Sequence, residues 1–268
     1  MTSREFRMFR PETLKPARGS VQVRTSTERE RGGDDSERIG NPQVKALEYV
    51  QSAYQHIEIR RHPAYGNQLH IDGDLQISAS DHAYNTAMTA PLLAGRDCRR
   101  VVILGGGDGG VLNELLRGTA ATGHVLERVT LIDIDPDVVR LARRHLRAIA
   151  GDAFEHPRAE ILNGDAFAYV RTASALDAVV YDLTMEPVRA GQSREAFIGE
   201  IVAQIAAALR PGGVLSMQAG GTHDGELIGT IRAAVERHFS DVLEQKVLVP
   251  SFGELWTFIA ARKPLRAQ

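Results

Sequence analysis

The sequence predicts an α/β protein whose main domain is a parallel sheet covered by helices on both faces. Apolar runs of four or five residues that end in an aspartate recur in VTLIDID, AEILNGD and DAVVYDL. Helical segments separate these runs, among them PDVVRLARRHLRAIA with Pro136 at its first position. The last two apolar segments, DVLEQKVLVPSF and ELWTFIAARK, leave no room for a crossover helix and predict an antiparallel hairpin at one sheet edge. Trp256 is interpreted as a core or interface aromatic on that edge strand.

Composition divides the chain of 268 residues into three parts. Residues 1–45 include RTSTERERGGDDSER, which holds no apolar residue, and they predict a basic, flexible arm. The alternative is an arm whose apolar first residues dock on a neighbouring subunit. Residues 46–80 alternate apolar and polar side chains between turn dipeptides, which predicts a small domain of two or three antiparallel strands. Residues 81–268 form the main domain, and Asp81 is predicted to cap its first helix.

Charge and composition exclude several classes of partner. The 32 basic and 34 acidic side chains leave a formal net charge of −2, which offers no field that would collect nucleic acid or an anionic membrane. No apolar run approaches the ~20 residues that span a bilayer, and the basic start lacks the apolar stretch of a secretory signal. A single cysteine, Cys98, excludes an intrachain disulfide framework and a thiolate zinc site. We therefore expect a cytoplasmic protein with no nucleic-acid or membrane partner.

Aspartates stand where four strands are predicted to end. They are Asp108, Asp133 or Asp135, Asp165 and Asp182. Ligands of open α/β sheets bind beyond the carboxyl ends of the strands, so these side chains predict a binding site at that edge. Taken singly, Asp135 and Asp165 each precede a predicted helix, and helix capping alone can explain either one.

The segment GGGDGG, residues 105–110, satisfies the pattern G-x-G-x-x-G, which by itself is a weak signal for a dinucleotide. Asp108 argues against a pyrophosphate at this loop, because a carboxylate within ~4 Å of a phosphate costs on the order of 1–4 kcal/mol per charge pair. The same carboxylate favours a nucleoside that carries a sulfonium and an ammonium group. Asp133 is placed to accept both ribose hydroxyls, and Asp165 is placed to accept from the exocyclic amine of adenine.

From about Gln51 to Lys263 the sequence resembles the spermidine synthase, or polyamine aminopropyltransferase, family. The motifs that carry the resemblance are SAYQ (52–55), YGNQLHIDGDLQ (65–76), VVILGGGDGGVLNE (101–114), IDID (132–135), NGDA (163–166), DAVVYD (177–182) and VPSFGELWTF (249–258). The resemblance implies a Rossmann-like catalytic domain with the fold of class I S-adenosylmethionine-dependent transferases. It implies an enzyme that moves an aminopropyl group from decarboxylated S-adenosylmethionine to an amine, without a metal, and releases methylthioadenosine. It also implies a small-molecule amine substrate and a homodimer or homotetramer.

Carried over position by position, the resemblance implies a donor site of thirteen residues. They are Gln55, Gln76, Gly105, Gly106, Gly107, Asp108, Gly109, Asp133, Ile134, Gly164, Asp165, Ala166 and Asp182. In this set Asp108 pairs with the amino group of the donor, and Asp133 stands where the family usually has a glutamate. Asp182 matches the acid usually assigned as the general base, with Glu186 as a second catalytic candidate. The chemistry agrees, because an amine of pKa ~10.4 is protonated at neutral pH and must lose a proton before it attacks.

The acceptor side departs from the family pattern at three places. Asn85 and Thr86 stand where the family usually has a tyrosine and its polar partner, and the following glutamate is missing. In the family motif Asp-x-x-Asp-Pro the second acid is either lost to Met185 or displaced by one residue to Glu186. Phe252 replaces a usual tyrosine and lacks its hydroxyl. These changes put a conventional diamine acceptor in doubt, and they make Asn85, Thr86, Glu186 and Phe252 the predicted substrate-binding residues.

Three other functions stay open beside aminopropyl transfer. An N-methyltransferase, or another enzyme that uses S-adenosylmethionine as co-substrate, can keep nearly the same glycine loop. A non-catalytic nucleoside-binding protein is a further alternative, suggested by the altered residues that follow Asp182. NAD-linked oxidoreduction is a fourth hypothesis, which absent nicotinamide binding would exclude.

Overall fold

The structure is a computed structural model that describes residues 44–94, 98–186 and 191–265. The arm predicted over residues 1–45 lies outside the described residues except for its last two positions. Within the described residues no helix is long and apolar enough to cross a membrane.

The first sheet has four antiparallel strands in the order β1-β2-β3-β4, where the sequence predicted two or three. The strands are β1 (Lys45–Gln51), β2 (His56–His62), β3 (Gly66–Ile71) and β4 (Asp74–Ser78). The count of two or three is wrong because β1 has no buried residue and so shows no clear apolar face in the sequence. Asp72 and Gly73 turn the chain between β3 and β4 with φ of +50° and +93°, the left-handed values that an Asp-Gly pair tolerates.

The main sheet has seven strands in the order β10-β11-β9-β8-β5-β6-β7. The parallel strands are β5 (Arg100–Gly105), β6 (Arg128–Asp133), β7 (Ala159–Asn163), β8 (Leu176–Asp182) and β9 (Leu209–Gly221). An antiparallel hairpin of β10 (Ser240–Val249) and β11 (Glu254–Arg262) completes the sheet. This confirms the predicted fold class. The prediction that Trp256 lies on an edge strand is wrong, because β11 pairs with both β9 and β10 and leaves β10 at the edge.

Helices cover both faces of the main sheet. They are α1 (His82–Leu93), α2 (Gly110–Thr122), α3 (Pro136–His145), α4 (Arg147–Ala150), α5 (Ala166–Thr172), α6 (Arg194–Ala208) and α7 (Gly225–Glu236). Alternate residues of one strand enter different cores, as in β5, where Val101 and Ile103 pack with α1 and α2 while Val102 and Leu104 pack with α6 and α7. Both faces of these strands are therefore apolar, which is why the sequence shows continuous apolar runs rather than alternation.

Hydrogen bonds to Asp135 attach the first sheet to the carboxyl edge of the main sheet. Asp135 is fully buried, and its Oδ2 accepts from Ser52 Oγ at 2.6 Å and from Gln55 Nε2 at 3.0 Å. Its Oδ1 accepts from the backbone N–H of Asp137 at 3.0 Å and so caps α3. Glu48 of β1 adds ion pairs to the arginines of α3. One capping residue thus fixes where the turn between β1 and β2 lies.

Asp81 occupies the position before α1, but the prediction that its side chain caps this helix is wrong. Its carboxylate makes no hydrogen bond to the helix backbone. It accepts instead from the backbone N–H groups of Ser78 at 2.7 Å and Ser251 at 3.0 Å, and from the Ser251 hydroxyl. Asp81 therefore connects the start of α1 to the loop between β10 and β11.

Asp177, near the start of β8, holds the opposite edge of the sheet together. It is 7% exposed, and its Oδ2 accepts from the backbone N–H groups of Arg99 at 3.0 Å and Arg100 at 2.7 Å. Its Oδ1 forms an ion pair with Arg210.

We expect Asp177→Ala to lower the free energy of unfolding by about 2–3 kcal/mol, because two backbone N–H groups lose their acceptor. Urea unfolding followed by circular dichroism measures the change. Glu127→Ala is the matched control, since Glu127 pairs with Arg99 at 3.0 Å on the open surface, where such a pair contributes under about 1 kcal/mol. Equal losses in the two variants would contradict this role of Asp177.

Candidate active site

A cavity of about 600 Å³ lies at the carboxyl edge of the main sheet, next to the β3–β4 hairpin. Side chains from the first sheet, the glycine loop and the C-terminal hairpin line it. Among the described lining residues are five aspartates and no Lys, Arg or His. The aspartates are Asp72, Asp74, Asp108, Asp133 and Asp182. Such a lining attracts a ligand that carries positive charge.

Backbone N–H groups of the glycine loop hold two of these carboxylates. Asp133, at the end of β6, accepts from Gly107 at 3.0 Å and from Asp135 at 2.9 Å. Asp108 accepts from Gly110 at 2.8 Å. A Cβ atom on Gly107 would lie 2.5 Å from the Asp133 carboxylate, so the close approach of loop and acid requires glycine at this position.

The remaining glycines of the loop differ in their distance from the cavity. Gly106 lines the cavity together with Gly107 and Asp108. Gly105 and Gly109 do not line the cavity. Each adopts φ of +81°, a left-handed conformation that favours glycine. Their role is to shape the loop.

Asp182 ends β8 and accepts a hydrogen bond of 2.6 Å from the hydroxyl of Tyr84. Tyr84 is 8% exposed and lies on the first turn of α1. Tyr84 is not among the predicted site residues, because the family motif places its tyrosine at position 85, where Asn85 stands. A tyrosine one residue before the expected position was the signal that could have found it. The site therefore contains a tyrosine hydroxyl, although position 85 holds an asparagine.

Burial raises the pKa of Asp108 to about 6 and the pKa of Asp182 to about 7. Repulsion adds to both shifts, since the charge of Asp133 acts on Asp108 and the charge of Asp108 acts on Asp182. The hydrogen bond from Tyr84 acts on Asp182 in the opposite direction and lowers its pKa. Burial also raises the pKa of Asp133, against the effect of its backbone donors. A carboxylate that titrates near neutrality, as Asp182 does, is suited to accept a proton.

Gln55, Gln76 and Ile134 line the same cavity as Asp108, Asp133 and Asp182. The amide of Gln55 donates to Asp135, and the amide of Gln76 donates to the backbone carbonyl of Asp74 at 3.1 Å. Ile134 is 44% exposed and gives the cavity an apolar surface beside the end of β6.

Residues 164–166 are placed differently from the rest of the predicted donor site. Asp165 is exposed, and its Oδ1 caps α5 by accepting from Phe167 at 2.8 Å and from the next backbone N–H at 3.2 Å. It borders a smaller cavity of about 220 Å³ between α5 and α6. The backbone N–H of Gly164 donates to Asp133 O at 3.0 Å, and Ala166 is buried. None of the three lines the cavity of the aspartates.

The predicted substrate-binding residues are also divided by the structure. Phe252 lines the cavity, whereas Asn85, Thr86 and Glu186 do not. Asn85 is buried against Gly110, and no described residue donates to its Oδ1. The hydroxyl of Thr86 donates to Glu114 on the surface at 3.1 Å, and Glu186 forms an ion pair with Arg194. Pro187, which follows Glu186, lies outside the described residues.

Aromatic rings form one wall of the cavity. The ring of Phe252 lies 4.8 Å from Trp256 and 6.4 Å from Tyr84, measured between centroids. Trp256 donates from its indole to Gln218 Oε1 at 3.1 Å, and Gln218 donates to Leu183 O at 2.8 Å. Trp256 was predicted only as a core or interface aromatic, although it lies in the motif VPSFGELWTF, and Gln218 lies in none of the family motifs.

The parallel sheet, its C-terminal antiparallel hairpin and the acids at its strand ends define the fold of class I S-adenosylmethionine-dependent transferases. Residues 81–267 match the family model described as the spermine/spermidine synthase domain. The chain therefore belongs to the spermine/spermidine synthase family.

Two relatives and one solved structure extend this finding. A polyamine aminopropyltransferase of Aeropyrum pernix is 36% identical over 79% of this chain and 67% of its own length. One of Synechococcus sp. (strain JA-3-3Ab) is 32% identical over 84% of this chain and 73% of its own length. A crystal structure of spermidine synthase in complex with the transition-state analogue AdoDATO shares the fold. Its TM-score is 0.71 at 24% identity, over 83% of this chain and 73% of that chain. The prediction of an aminopropyltransferase-type enzyme is confirmed.

The raised carboxylate pKa values predict that the ligand-free protein loses stability as pH rises. The pKa of Asp182 is about 7 in the folded chain and 3.8 without its surroundings, so between these values the folded state binds more protons than the unfolded state. The free energy of unfolding therefore falls as pH increases through this range.

We expect Asp182→Asn to remove part of this decrease in the free energy of unfolding with rising pH. Its stabilising effect is larger at pH 8 than at pH 5 by on the order of 2 kcal/mol, which urea unfolding at the two pH values measures. Glu226→Gln, at an exposed acid of α7, is the control and should show no such pH dependence. An equal effect of Asp182→Asn at both pH values would contradict the raised pKa.

Proposed function

We propose that the chain transfers an aminopropyl group from decarboxylated S-adenosylmethionine to a diamine or polyamine. The observation that carries the proposal is the lining of the cavity, where the described residues include five aspartates and no basic side chain. The decarboxylated donor carries a sulfonium and an ammonium, and both are attracted by this lining. S-adenosylmethionine adds a carboxylate, which would meet no cationic partner among these residues and would be disfavoured. The charge of the cavity thus supports aminopropyl transfer over methyl transfer.

The donor contacts follow from the same charges. Asp108 binds the donor ammonium, and Asp133 accepts from the ribose hydroxyls with the lone pairs that its two backbone donors leave. Gln55, Gln76 and Ile134 border the nucleoside. Asp165 accepts from the adenine amine through Oδ2, since both of its capping hydrogen bonds use Oδ1. Gly164 and Ala166 set the position of Asp165.

Asp182 is the general base of the proposed reaction. The acceptor ammonium gives a proton to the Asp182 carboxylate, and its freed lone pair attacks the carbon next to the sulfonium sulfur. The carbon–sulfur bond breaks, its electron pair goes to sulfur, and neutral methylthioadenosine leaves. The hydroxyl of Tyr84 holds the Asp182 carboxylate in place for this transfer. A base of this kind contributes about 10²–10⁴-fold to the rate, and alignment of the reactants contributes much of the rest.

The acceptor lies along the aromatic wall in this proposal. Phe252 and Trp256 pack against its methylene groups, and the indole N–H of Trp256 is already bonded to Gln218. Asn85, Thr86 and Glu186 have no part in the reaction as proposed. Asn85 is buried against the glycine loop, and the side chains of the other two bind Glu114 and Arg194.

The proposal is tested by incubating the protein with each donor and a panel of linear diamines and triamines. Mass spectrometry of both products is the readout. Methylthioadenosine and an aminopropylated amine are expected with the decarboxylated donor. S-adenosylhomocysteine formed from S-adenosylmethionine would indicate methyl transfer instead. Nucleoside binding without either coproduct would favour the non-catalytic alternative.

We expect Asp182→Asn to lower kcat by about 10²–10⁴-fold, because the amide cannot accept the proton. The dissociation constant for methylthioadenosine, measured by calorimetry, is expected to change little. Unaltered turnover in this variant would exclude Asp182 as the base, whereas loss of nucleoside binding would indicate a disrupted site.

Tyr84→Phe tests the hydrogen bond to Asp182. Because this bond lowers the pKa of Asp182, its removal is expected to move the acid limb of the kcat/KM profile to higher pH. Tyr169→Phe, on α5 and outside the cavity lining, is the control and should leave the limb in place. If the limb of Tyr84→Phe coincides with that of the unmodified protein, Tyr84 does not tune the base.

A further inference from the structure

The five aspartates of the cavity form two groups. Asp108, Asp133 and Asp182 belong to the ends of the main-sheet strands and the glycine loop, and they are partly buried. Asp72 and Asp74 belong to the β3–β4 hairpin and are exposed. We call the hairpin side, where these two acids meet solvent, the mouth of the cavity. Negative charge is therefore present both deep in the cavity and at its mouth.

The two acids at the mouth differ in what they bind. Asp72 Oδ1 accepts from the backbone N–H of His56 at 2.8 Å, and the His56 ring lies 3.6 Å away. Asp72 thus holds the hairpin turn against β2. Among the described residues no hydrogen-bond donor and no ion-pair partner contacts the carboxylate of Asp74, although its charge acts on His70, whose pKa is lowered by burial. Asp74 is the acid of the mouth whose oxygens are available to a ligand.

The hairpin presents its whole edge to the cavity because β4 contains a bulge. Leu75 pairs with His70 and Ile77 pairs with Leu69, which leaves Gln76 as an extra residue in the ladder. As a result Leu75, Gln76 and Ile77 all line the cavity, although consecutive strand residues normally face opposite sides. Asp74 precedes these three residues and is exposed to solvent.

We propose that Asp74 binds the distal ammonium of the acceptor and so selects amines that carry a second positive charge. The inference rests on the proposed function and extends it to the acceptor. In the proposed reaction the three partly buried acids bind the positively charged groups of the donor, its ribose and the proton of the attacking amine. The second ammonium of a linear diamine or polyamine then extends toward the mouth, where Asp74 is the unoccupied carboxylate. The aromatic wall of the same cavity suits the methylene groups that link the two nitrogens.

The test compares Asp74→Asn, which removes the charge, with Asp74→Glu, which keeps it. The acceptors are 1,4-diaminobutane and butylamine, which differ in the distal ammonium, and butylamine is measured by turnover or as an inhibitor of the diamine. Asp74→Asn is expected to lower kcat/KM for the diamine about fivefold, near the upper end of what one exposed ion pair contributes. Asp74→Glu is expected to stay within about twofold of the unmodified protein. Glu226→Gln, an exposed acid on α7, is the matched control.

The following outcomes decide the result. Constants for butylamine that are unchanged in Asp74→Asn, and an unchanged KM for the donor, would support the inference. An Asp74→Asn variant that equals the unmodified protein with the diamine, or that weakens diamine and butylamine alike, would overturn it. An unmodified protein that forms no methylthioadenosine with any amine would overturn the proposed function itself, and the role of Asp74 would fall with it. Turnover that is insensitive to Asp74 would leave the proposed function standing.

Discussion

Carboxylates held close together without a basic partner are the constraint on which this site depends. Asp108, Asp133 and Asp182 follow β5, β6 and β8, which are neighbours in the main sheet, so the topology itself brings the three acids together. Removing a carboxylate from water is costly unless hydrogen bonds offset the loss. Here the donors are backbone N–H groups of the glycine loop and the hydroxyl of Tyr84, while no described Lys or Arg lines the cavity. The negative charge therefore remains available to a cationic ligand.

Aspartates at other strand and helix ends serve the fold instead, and their hydrogen bonds distinguish them. Asp135 uses both oxygens, one on α3 and one on the turn between β1 and β2. Asp81 likewise uses both, on Ser78 and Ser251. These two acids hold the first sheet and the β10–β11 loop on either side of the cavity. Aspartates thus supply both the binding groups of the cavity and the hydrogen bonds that position the elements around it.

Much of the fold and part of the site could be predicted from the sequence. Apolar runs reveal strands that are buried on both faces, and an aspartate at the end of such a run must lie at the carboxyl edge, which located Asp133 and Asp182.

Side chains on α1 could not be located in this way, because successive residues of a helix point about 100° apart. The contact of Asp81 with the distant Ser251 sets the position at which α1 begins. The sequence therefore did not indicate that Tyr84, rather than residue 85, reaches Asp182. The sequence also did not indicate the contacts of Thr86 with Glu114 and of Glu186 with Arg194, because each partner belongs to another element.

In the proposed reaction, the acids deep in the cavity and those at its mouth affect release of the amine product differently. When the carbon–sulfur bond breaks, the nucleoside loses its sulfonium charge and with it an attraction to nearby carboxylates on the order of 1–4 kcal/mol. Methylthioadenosine then keeps its hydrogen bonds but carries no positive charge, while the amine product leaves with all of the positive charge. Strongly buried acids alone would retain that product. At the exposed mouth, water and salt screen the attraction to Asp72 and Asp74, so an amine can exchange there while the deeper acids hold the donor.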